Sequence, residues 1–215
     1  MRQKFDVSTL PKFPDLRIEK RLWKKGWERI GGIDEAGRGA LAGPVAAAIV
    51  VLPNIPKLAR ILAGVRDSKE MTARQREAFE PLIKETSLSW SVAFSSPQEI
   101  DKIGILPATR LAALRAIQSL SLIPNYLITD YLVIQETKIP QEKFIKGDRR
   151  SLTIASASVL AKTARDALMR ELDAEYSEYG FAQHKGYGTR QHREAIKKMG
   201  RCPVHRKSFR SKDEP

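Results

Sequence analysis

The stretch GIDEAGRGALAGPV, residues 32–45, joins two apolar segments and places an acidic pair between them. The segment Arg29–Asp34 predicts a short strand, and Gly43–Leu52, with the sequence GPVAAAIVVL, predicts a buried one. Within the quoted stretch, four glycines and one proline interrupt the apolar pattern. A glycine-rich connection of this kind indicates a turn that carries function.

The remaining chain predicts further strands and helices in mixed order. Thr72 and Gln75 have the spacing of a helix capping box, and Pro107 suits the first turn of a helix. The predicted helices are Leu16–Lys25, Thr72–Thr86, Pro107–Leu120, Leu152–Tyr176 after the cap Ser151, and one after Thr189; the further strands are Leu88–Phe94 and Tyr126–Asp130. Together these elements predict an α/β fold, a mixed β-sheet flanked by helices with a helical C-terminal part.

Four acidic residues lie where predicted strands or helices begin or end. Asp34 and Glu35 follow the first strand, and adjacent strand residues point to opposite faces, so a shared site requires the chain to bend there. Asp130 lies in an apolar stretch, where a carboxylate is costly unless it is paired, hydrogen-bonded or bound to metal. Asp148 precedes the helix that begins at Leu152, and helix N-termini favour anionic groups.

Each acid also has a purely structural interpretation. Asp34 and Glu35 could hold the turn, Asp130 could accept backbone hydrogen bonds, and Asp148 could stabilise a helix N-terminus. As a set, the four offer only oxygen ligands, which favour Mg²⁺ or Mn²⁺ over zinc. The residues alone leave a joint metal site and four separate structural acids equally open.

The formal net charge of +13 is concentrated near the two ends of the chain. Residues 1–29 contain nine Lys and Arg against four Asp and Glu, and residues 190–215 contain nine against three, which leaves +2 for the 160 residues between them. Such surfaces suit a polyanion, because neutralising phosphates releases condensed counterions. A solvated basic surface explains the charge nearly as well.

Several kinds of protein are not expected from this sequence. The longest apolar run, Val45–Leu52, has the length of a strand and falls short of the ~20 residues that span a bilayer. The N-terminal segment lacks the apolar core of a secretory signal. Cys202 is the single cysteine, so no internal disulfide is expected, and three histidines (His184, His192 and His205) do not form a zinc-site pattern. We expect a reduced, cytoplasmic setting and no membrane.

The sequence resembles the ribonuclease HII family over roughly residues 16–210. The acidic pair runs into a Gly-Arg-Gly turn, and the later motifs follow in the family's order: DSK (67–69), the isolated Asp130, KGD (146–148), IASASVLAKTARD (154–166), HKGYGT (184–189) and HRKSF (205–209). The resemblance implies a ribonuclease H-like fold. It also implies an endoribonuclease that binds two Mg²⁺ or Mn²⁺ ions, with four acids as catalytic and metal-binding residues: Asp34, Glu35, Asp130 and Asp148.

The same resemblance implies the substrates, which are RNA–DNA hybrids and duplex DNA with single embedded ribonucleotides. The cut falls on the 5′ side of a ribonucleotide and leaves 3′-hydroxyl and 5′-phosphate ends. Gly37, Arg38 and Gly39 would read the ribose 2′-hydroxyl through backbone groups, and Tyr187 would stack on the neighbouring sugar. The implied phosphate contacts are Ser68, Lys69 and Lys162, whereas Asp166 is interpreted as structural.

The resemblance also suggests three parts within one fold unit. Residues 1–28 form an N-terminal arm and short helix, residues 29–178 the catalytic domain, and residues 179–215 a substrate-contacting helix and basic tail. The chain departs from the usual family pattern at Ala40, Tyr131, Ser156 and Thr163-Ala164. None of these positions is an acid, so the departures bear on loop rigidity and rate.

Two other interpretations compete with this one. A ribonuclease HIII type would keep the fold and favour long hybrids, but the Gly-Arg-Gly turn, the basic C-terminal tail and the short segment before the first strand favour the HII type. A non-catalytic nucleic-acid-binding module would use the acids structurally, and the presence of all four argues against it. A monomer suffices for any of these functions.

Overall fold

The all-apolar run Val45–Val51 forms a central strand, β2, and every residue in it is buried. Both faces of this strand are covered, which explains why its sequence does not alternate with polar residues. The computed structural model describes residues 10–210. Residues 1–9 of the predicted N-terminal arm and residues 211–215 of the predicted basic tail therefore lie outside the described residues.

In the described part of the chain, one mixed sheet has the strand order β3-β2-β1-β4-β5. The other strands are β1 (Ile30–Ala36), β3 (Ser89–Ser95), β4 (Tyr126–Asp130) and β5 (Gln141–Phe144). β1 pairs antiparallel with β2 and parallel with β4, and Ile33 lies opposite Thr129 in the parallel pair. The residues that follow, Asp34 and Asp130, consequently lie at the same edge of the sheet.

Helices cover both faces of this sheet, as the sequence predicted. They are α1 (Arg17–Trp23), α2 (Leu58–Ile61), α3 (Ala73–Thr86), α4 (Pro97–Ile103), α5 (Ile105–Gln118), α6 (Leu152–Glu175), α7 (Phe181–His184) and α8 (Arg190–Met199). On one face, Val50 of β2 shares a hydrophobic cluster with Val159 of α6. On the other face, Ile49 shares a cluster with Ala112 of α5. None of the helices in residues 10–210 has the length and apolar character needed to cross a membrane.

Gly32 allows α6 to lie close to β1. A Cβ added to Gly32 would be 2.7 Å from the carbonyl carbon and the Cγ2 atom of Thr153, closer than real Cβ atoms come. The missing side chain thus brings the start of α6 against the strand that carries the acidic pair. The 3-10 turn Gly147–Arg149, which precedes α6 and contains Asp148, comes with it.

Most element predictions agree with the structure, with two kinds of difference. The predicted end of the first strand at Asp34 is wrong, because β1 continues and pairs with β2 as far as Ala36 opposite Ala46. The pairing with β2 therefore continues through both Asp34 and Glu35. Four short elements were not predicted: α2, α4, β5 and α7.

Candidate active site

The four acids singled out from the sequence meet at one edge of the sheet. Asp34 and Glu35 lie near the end of β1, Asp130 ends the neighbouring strand β4, and Asp148 lies in the turn before α6. The Gly147 N–H donates a 2.8 Å hydrogen bond to Asp130 Oδ1, which links the last two segments. We call these four residues the acid cluster.

Asp34 and Asp148 of the acid cluster are buried, Glu35 and Asp130 are partly buried, and the four carboxylates repel one another. Burial raises the pKa of Asp34 well above its ordinary value, and the charges of Glu35, Asp130 and Asp148 raise it further. Burial likewise raises the pKa of Asp148 to about 7, with a contribution from Asp130. Such mutual effects require short separations, because Coulomb interactions weaken with distance. The acids therefore form one electrostatic unit.

Among residues 10–210, Glu35 is the member of the acid cluster that forms a salt bridge. Arg38 Nη1 donates a 3.0 Å hydrogen bond to Glu35 Oε1. Burial raises the pKa of Glu35, and the hydrogen bond and charge of Arg38 oppose that rise. Arg38 therefore connects the acid cluster to the Gly-Arg-Gly turn.

Three carboxylates keep a buried oxygen without a hydrogen-bond partner: Asp34 Oδ2, Glu35 Oε2 and Asp148 Oδ1. Buried unpaired oxygens of this kind are unfavourable, and a divalent cation would satisfy them. Within residues 10–210, no three His, Cys, Asp or Glu side chains already stand at metal-ligand spacing. An all-oxygen donor set suits Mg²⁺ or Mn²⁺. The residues fit a divalent-ion site.

Lys69 lies within electrostatic reach of the acid cluster. Burial lowers its pKa, but the charges of Asp67 and of three cluster acids outweigh that effect and raise it. Its N–H donates to Asp67 Oδ1 at 3.0 Å, which shapes the 3-10 turn Ser68–Glu70. The Ser68 side chain faces inward, and its hydroxyl is hydrogen-bonded to Ser158 Oγ at 2.8 Å. Of this pair of predicted phosphate contacts, Lys69 is the exposed one.

Arg206 holds the turn at residues 37–39 from inside the protein. Its Nη2 donates to the carbonyl oxygen of Gly37 at 2.7 Å, and its Nη1 donates to that of Arg38 at 3.0 Å. Its Nε donates to the carbonyl oxygen of Gly43 at 2.9 Å. All three guanidinium nitrogens thus donate to the backbone of the loop 37–44.

Arg165 on α6 supports the same loop from the other end. It donates to three carbonyl oxygens, those of Pro44 (2.9 Å), Ala42 (3.1 Å) and Lys185 (3.0 Å). Gly37 has a φ of 92°, and a Cβ there would lie 1.9 Å from Arg165 Nε. Residue 37 therefore has to be glycine, because any side chain there would overlap Arg165. Gly39, in contrast, has open space around the position of a Cβ.

These two arginines are fully buried, and neither forms a salt bridge within the described residues. Burial and the neighbouring charge of Arg165 lower the pKa of Arg206 to about 9. Six carbonyl oxygens take the place of water around them. Sequence reasoning missed both residues, although they lie within the quoted motifs at 154–166 and 205–209.

Tyr187 lies beside the turn at residues 37–39. It forms a backbone bridge with Ala40, and the Leu41 N–H donates to the Gly186 carbonyl oxygen at 2.8 Å. The half-buried ring has Lys162 Nζ 5.5 Å from its centroid. The structure thus brings together the predicted ribose-reading turn, the predicted stacking tyrosine and one predicted phosphate contact.

Asp166 links α6 to the turn that carries Lys69. It accepts a 2.6 Å hydrogen bond from Lys162 Nζ and a 3.0 Å hydrogen bond from Arg76 Nη2. Arg76 in turn donates to the carbonyl oxygens of Ser68 and Met71, at 3.0 and 2.6 Å. Asp166 is therefore engaged by two cations, in keeping with its structural interpretation.

The three histidines of the chain pack together beneath Tyr187. His192 Nδ1 donates to the Tyr187 carbonyl oxygen at 3.0 Å, so in the neutral ring its Nε2 accepts from His205 Nε2, also at 3.0 Å. His184 stacks on His192 with ring centroids 4.3 Å apart. Burial lowers the pKa of His192 to about 4. This hydrogen-bonded cluster supports the backbone of the predicted stacking tyrosine.

Comparisons with known proteins agree on one family. The family model described as Ribonuclease HII matches residues 31–212. Ribonuclease HII of Desulfitobacterium hafniense (strain Y51) is 49% identical over 197 residues, covering 90% of this chain and 73% of that protein. Ribonuclease HII of Syntrophotalea carbinolica is 48% identical over 195 residues, covering 91% of each. The crystal structure of the ribonuclease H2 from Pyrococcus horikoshii OT3 gives a TM-score of 0.72 at 26% identity, covering 85% of this chain and 94% of that one.

Proposed function

The chain belongs to the ribonuclease HII family and is a metal-dependent endoribonuclease, and we propose that it cuts RNA–DNA hybrids and duplex DNA that contains single ribonucleotides. The cut falls 5′ to the ribonucleotide and leaves 3′-hydroxyl and 5′-phosphate ends. The observation that carries this proposal is the acid cluster, whose buried unpaired oxygens lie beside a loop built around glycines.

Asp34, Glu35, Asp130 and Asp148 are the metal-binding and catalytic residues of this proposal. Two divalent ions, Mg²⁺ or Mn²⁺, supply charge stabilisation at the scissile phosphate and favour deprotonation of the attacking water when they are bound there. The protein orients the carboxylates through its backbone. The Glu35 N–H donates to Asp34 Oδ1 at 2.8 Å, and the Gly147 N–H to Asp130 Oδ1, which leaves the second oxygen of each free of these bonds.

The turn at residues 37–39 reads the ribose 2′-hydroxyl in this proposal. Arg206 holds the carbonyl oxygens of Gly37 and Arg38 toward the interior. Among the hydrogen bonds of the described residues, none is donated by the N–H groups of Arg38 or Gly39. These donors are available to a ligand, and the open space at Gly39 allows a sugar to approach the backbone closely.

The remaining substrate contacts surround that turn. Tyr187 packs on the deoxyribose next to the ribonucleotide, where a flat ring leaves no room for a further hydroxyl. Lys69, Lys162 and the turn at Ser68 bind phosphates of the cut strand. The C-terminal part, residues 179–215, supplies Tyr187, Arg206 and the basic helix α8. The protein acts as a cytoplasmic monomer without membrane association.

A cleavage assay on matched duplexes tests this function. The substrates are end-labelled DNA duplexes with one ribonucleotide or none, and an RNA–DNA hybrid of the same length. We expect a single cut 5′ to the ribonucleotide, in the presence of Mg²⁺ or Mn²⁺ and not of a chelator. Direct resealing of the nick by a ligase, which joins only a 3′-hydroxyl to a 5′-phosphate, identifies the end groups. Cutting of the all-DNA duplex at an equal rate would contradict the proposal.

A further inference from the structure

Tyr131 follows Asp130 directly and combines two unusual features. Its φ of 59° lies in the left-handed region, which disfavours residues with side chains. Its side chain is 63% exposed, more than any other large apolar or aromatic side chain in residues 10–210. The same backbone conformation occurs at Lys146, two residues before Asp148. Non-glycine residues in left-handed conformation therefore border the acid cluster on this side.

The backbone fixes Tyr131 in place while the ring remains free of the core. Its N–H donates to the Phe144 carbonyl oxygen at 3.0 Å, which ties the residue to the end of β5. The ring belongs to none of the hydrophobic clusters formed by the described residues. Lys143 Nζ lies 5.2 Å from the ring centroid. The strained backbone thus holds an aromatic face at the surface.

Strained non-glycine residues concentrate at binding and catalytic sites, where the surrounding structure holds them in the unfavourable conformation. A glycine would adopt the φ of Tyr131 without that strain. Since the ring makes no core contact in the described structure, a purely structural role does not account for it. The exposed ring is therefore expected to contact a ligand from outside the protein.

The surroundings of the ring identify the chemistry of that contact. Lys143, Ile145 and Lys146 are all exposed. Ammonium groups beside an aromatic face suit a nucleic-acid strand, because lysines neutralise phosphates and the ring packs on sugars or bases. The acid cluster lies at the ends of the two neighbouring strands β1 and β4. The loop 37–44 leads from β1 to β2 on one side of the cluster, and Tyr131 lies toward β5 on the other side.

We propose that Tyr131, Lys143 and Lys146 form a second substrate-contacting surface, which packs against the sugar–phosphate backbone of the duplex beyond the acid cluster. This inference rests on the proposed function, since the duplex reaches this surface when its scissile phosphate lies at the acid cluster. The Cα atoms of Asp130 and Tyr131 are about 3.8 Å apart, as consecutive residues are. A strand held at Asp130 is thus within reach of the tyrosine ring.

Two substitutions at Tyr131 distinguish the effect of its backbone strain from the effect of a contact between its ring and the duplex. Glycine removes both the ring and the strain, so Tyr131→Gly is expected to fold with an unchanged or higher Tm. Tyr131→Phe keeps the ring. In an Asp34→Asn background, in which we also expect cutting to be lost, Tyr131→Gly should raise the Kd for a duplex with one ribonucleotide about fivefold or more. Tyr131→Phe should stay within about twofold of the parent.

Trp90 provides a matched control on the opposite edge of the sheet. It lies on β3, is 37% exposed, and has Lys84 Nζ 4.4 Å from its ring centroid. We expect Trp90→Ala to leave the Kd unchanged. Lys143→Gln should flatten the plot of log Kd against log salt by about 0.9, whereas Lys84→Gln should not.

The outcomes distinguish this inference from the proposed function. If the unsubstituted chain does not cut the duplex, the proposed function fails. If that chain cuts but Tyr131→Gly binds as tightly as its parent, the surface at Tyr131 is not a substrate contact and the inference is overturned. An equal loss of affinity in Trp90→Ala would overturn it as well, because the effect would not be specific to this edge.

Discussion

Two neighbouring regions of the protein contain buried charged groups, and they differ in whether those groups have hydrogen-bond partners. In the acid cluster, four carboxylates repel one another, and three of them keep a buried oxygen without a partner. Under the loop 37–44, Arg165 and Arg206 are equally buried, yet their donors reach six carbonyl oxygens. Unsatisfied buried charge is unfavourable unless a ligand completes it, whereas satisfied buried charge fixes a shape. The first region is built to bind cations and the second to hold a backbone.

The largest expected effect is the loss of cleavage in Asp34→Asn. The amide keeps the size of the side chain but loses the charge that attracts cations, so we expect kcat to fall by about a thousandfold or more. Duplex affinity should remain, because the basic residues are unchanged. Single-turnover cleavage and a binding titration measure the two quantities. A kcat within a few-fold of the parent would exclude Asp34 from the metal site.

The same variant should be more stable than the parent when metal is removed by a chelator. Asp34 is buried among like charges, so its neutralisation relieves repulsion and burial of charge. We expect the Tm of Asp34→Asn to exceed that of the parent in chelator, and added Mg²⁺ to raise the Tm of the parent more. A lower Tm in chelator would show that Asp34 acts as a structural acid.

Removal of Arg206 should change stability in the opposite direction. Arg206→Met leaves three loop carbonyl oxygens without their donors, which should cost about 3 kcal/mol or more of unfolding free energy. Preference for a ribonucleotide over a deoxyribonucleotide should fall with it, because the turn loses its shape. Urea unfolding and paired kcat/KM values measure these effects.

Arg190 is the matched control for Arg206, since its pair with Glu194 is exposed. Arg190→Met should change the unfolding free energy by less than about 0.5 kcal/mol. If Arg206→Met were as mild as this control, the loop would not depend on its buried guanidinium, and the contrast between the two regions would disappear.

A smaller effect is expected at Tyr187, which lies against the arginine-held loop. Tyr187→Ala should slow cleavage at a single embedded ribonucleotide about tenfold more than cleavage of a long hybrid, because the lost contact is with the sugar after the ribonucleotide. The ratio of the two kcat/KM values is the measurement. Equal slowing of both substrates would assign Tyr187 to general positioning.

The smallest effect concerns the basic surface of α8. Truncation after Met199 would also remove Arg206, so it cannot isolate the contribution of surface charge. Lys197 and Lys198 are exposed, and their replacement by Gln should flatten the dependence of log affinity on log salt by about 0.9 for each lost phosphate contact. An unchanged slope would mean that these lysines are solvated and do not touch the duplex.

Helix caps could be predicted from the sequence, because the residues that form them are three positions apart. The capping box at Thr72 forms as predicted, with Gln75 N–H donating to Thr72 Oγ1 at 3.2 Å. An equivalent signal at Ser96, with Glu99 three residues later, caps α4 and was overlooked. β5 has no such signal, because Gln141–Phe144 is mostly polar and is a strand through its pairing with β4.

The sequence by itself determined the fold class and singled out the acids, because periodicity, caps and ordered motifs are recorded in residues close together along the chain. Only the tertiary structure decided that β1 and β4 run parallel, which places Asp34 and Asp130 at one edge of the sheet. It also decided that Arg206 lies under a turn 169 residues away. Such contacts cannot be predicted from the spacing of residues along the chain, since long-range packing and hydrogen bonding depend on the whole fold.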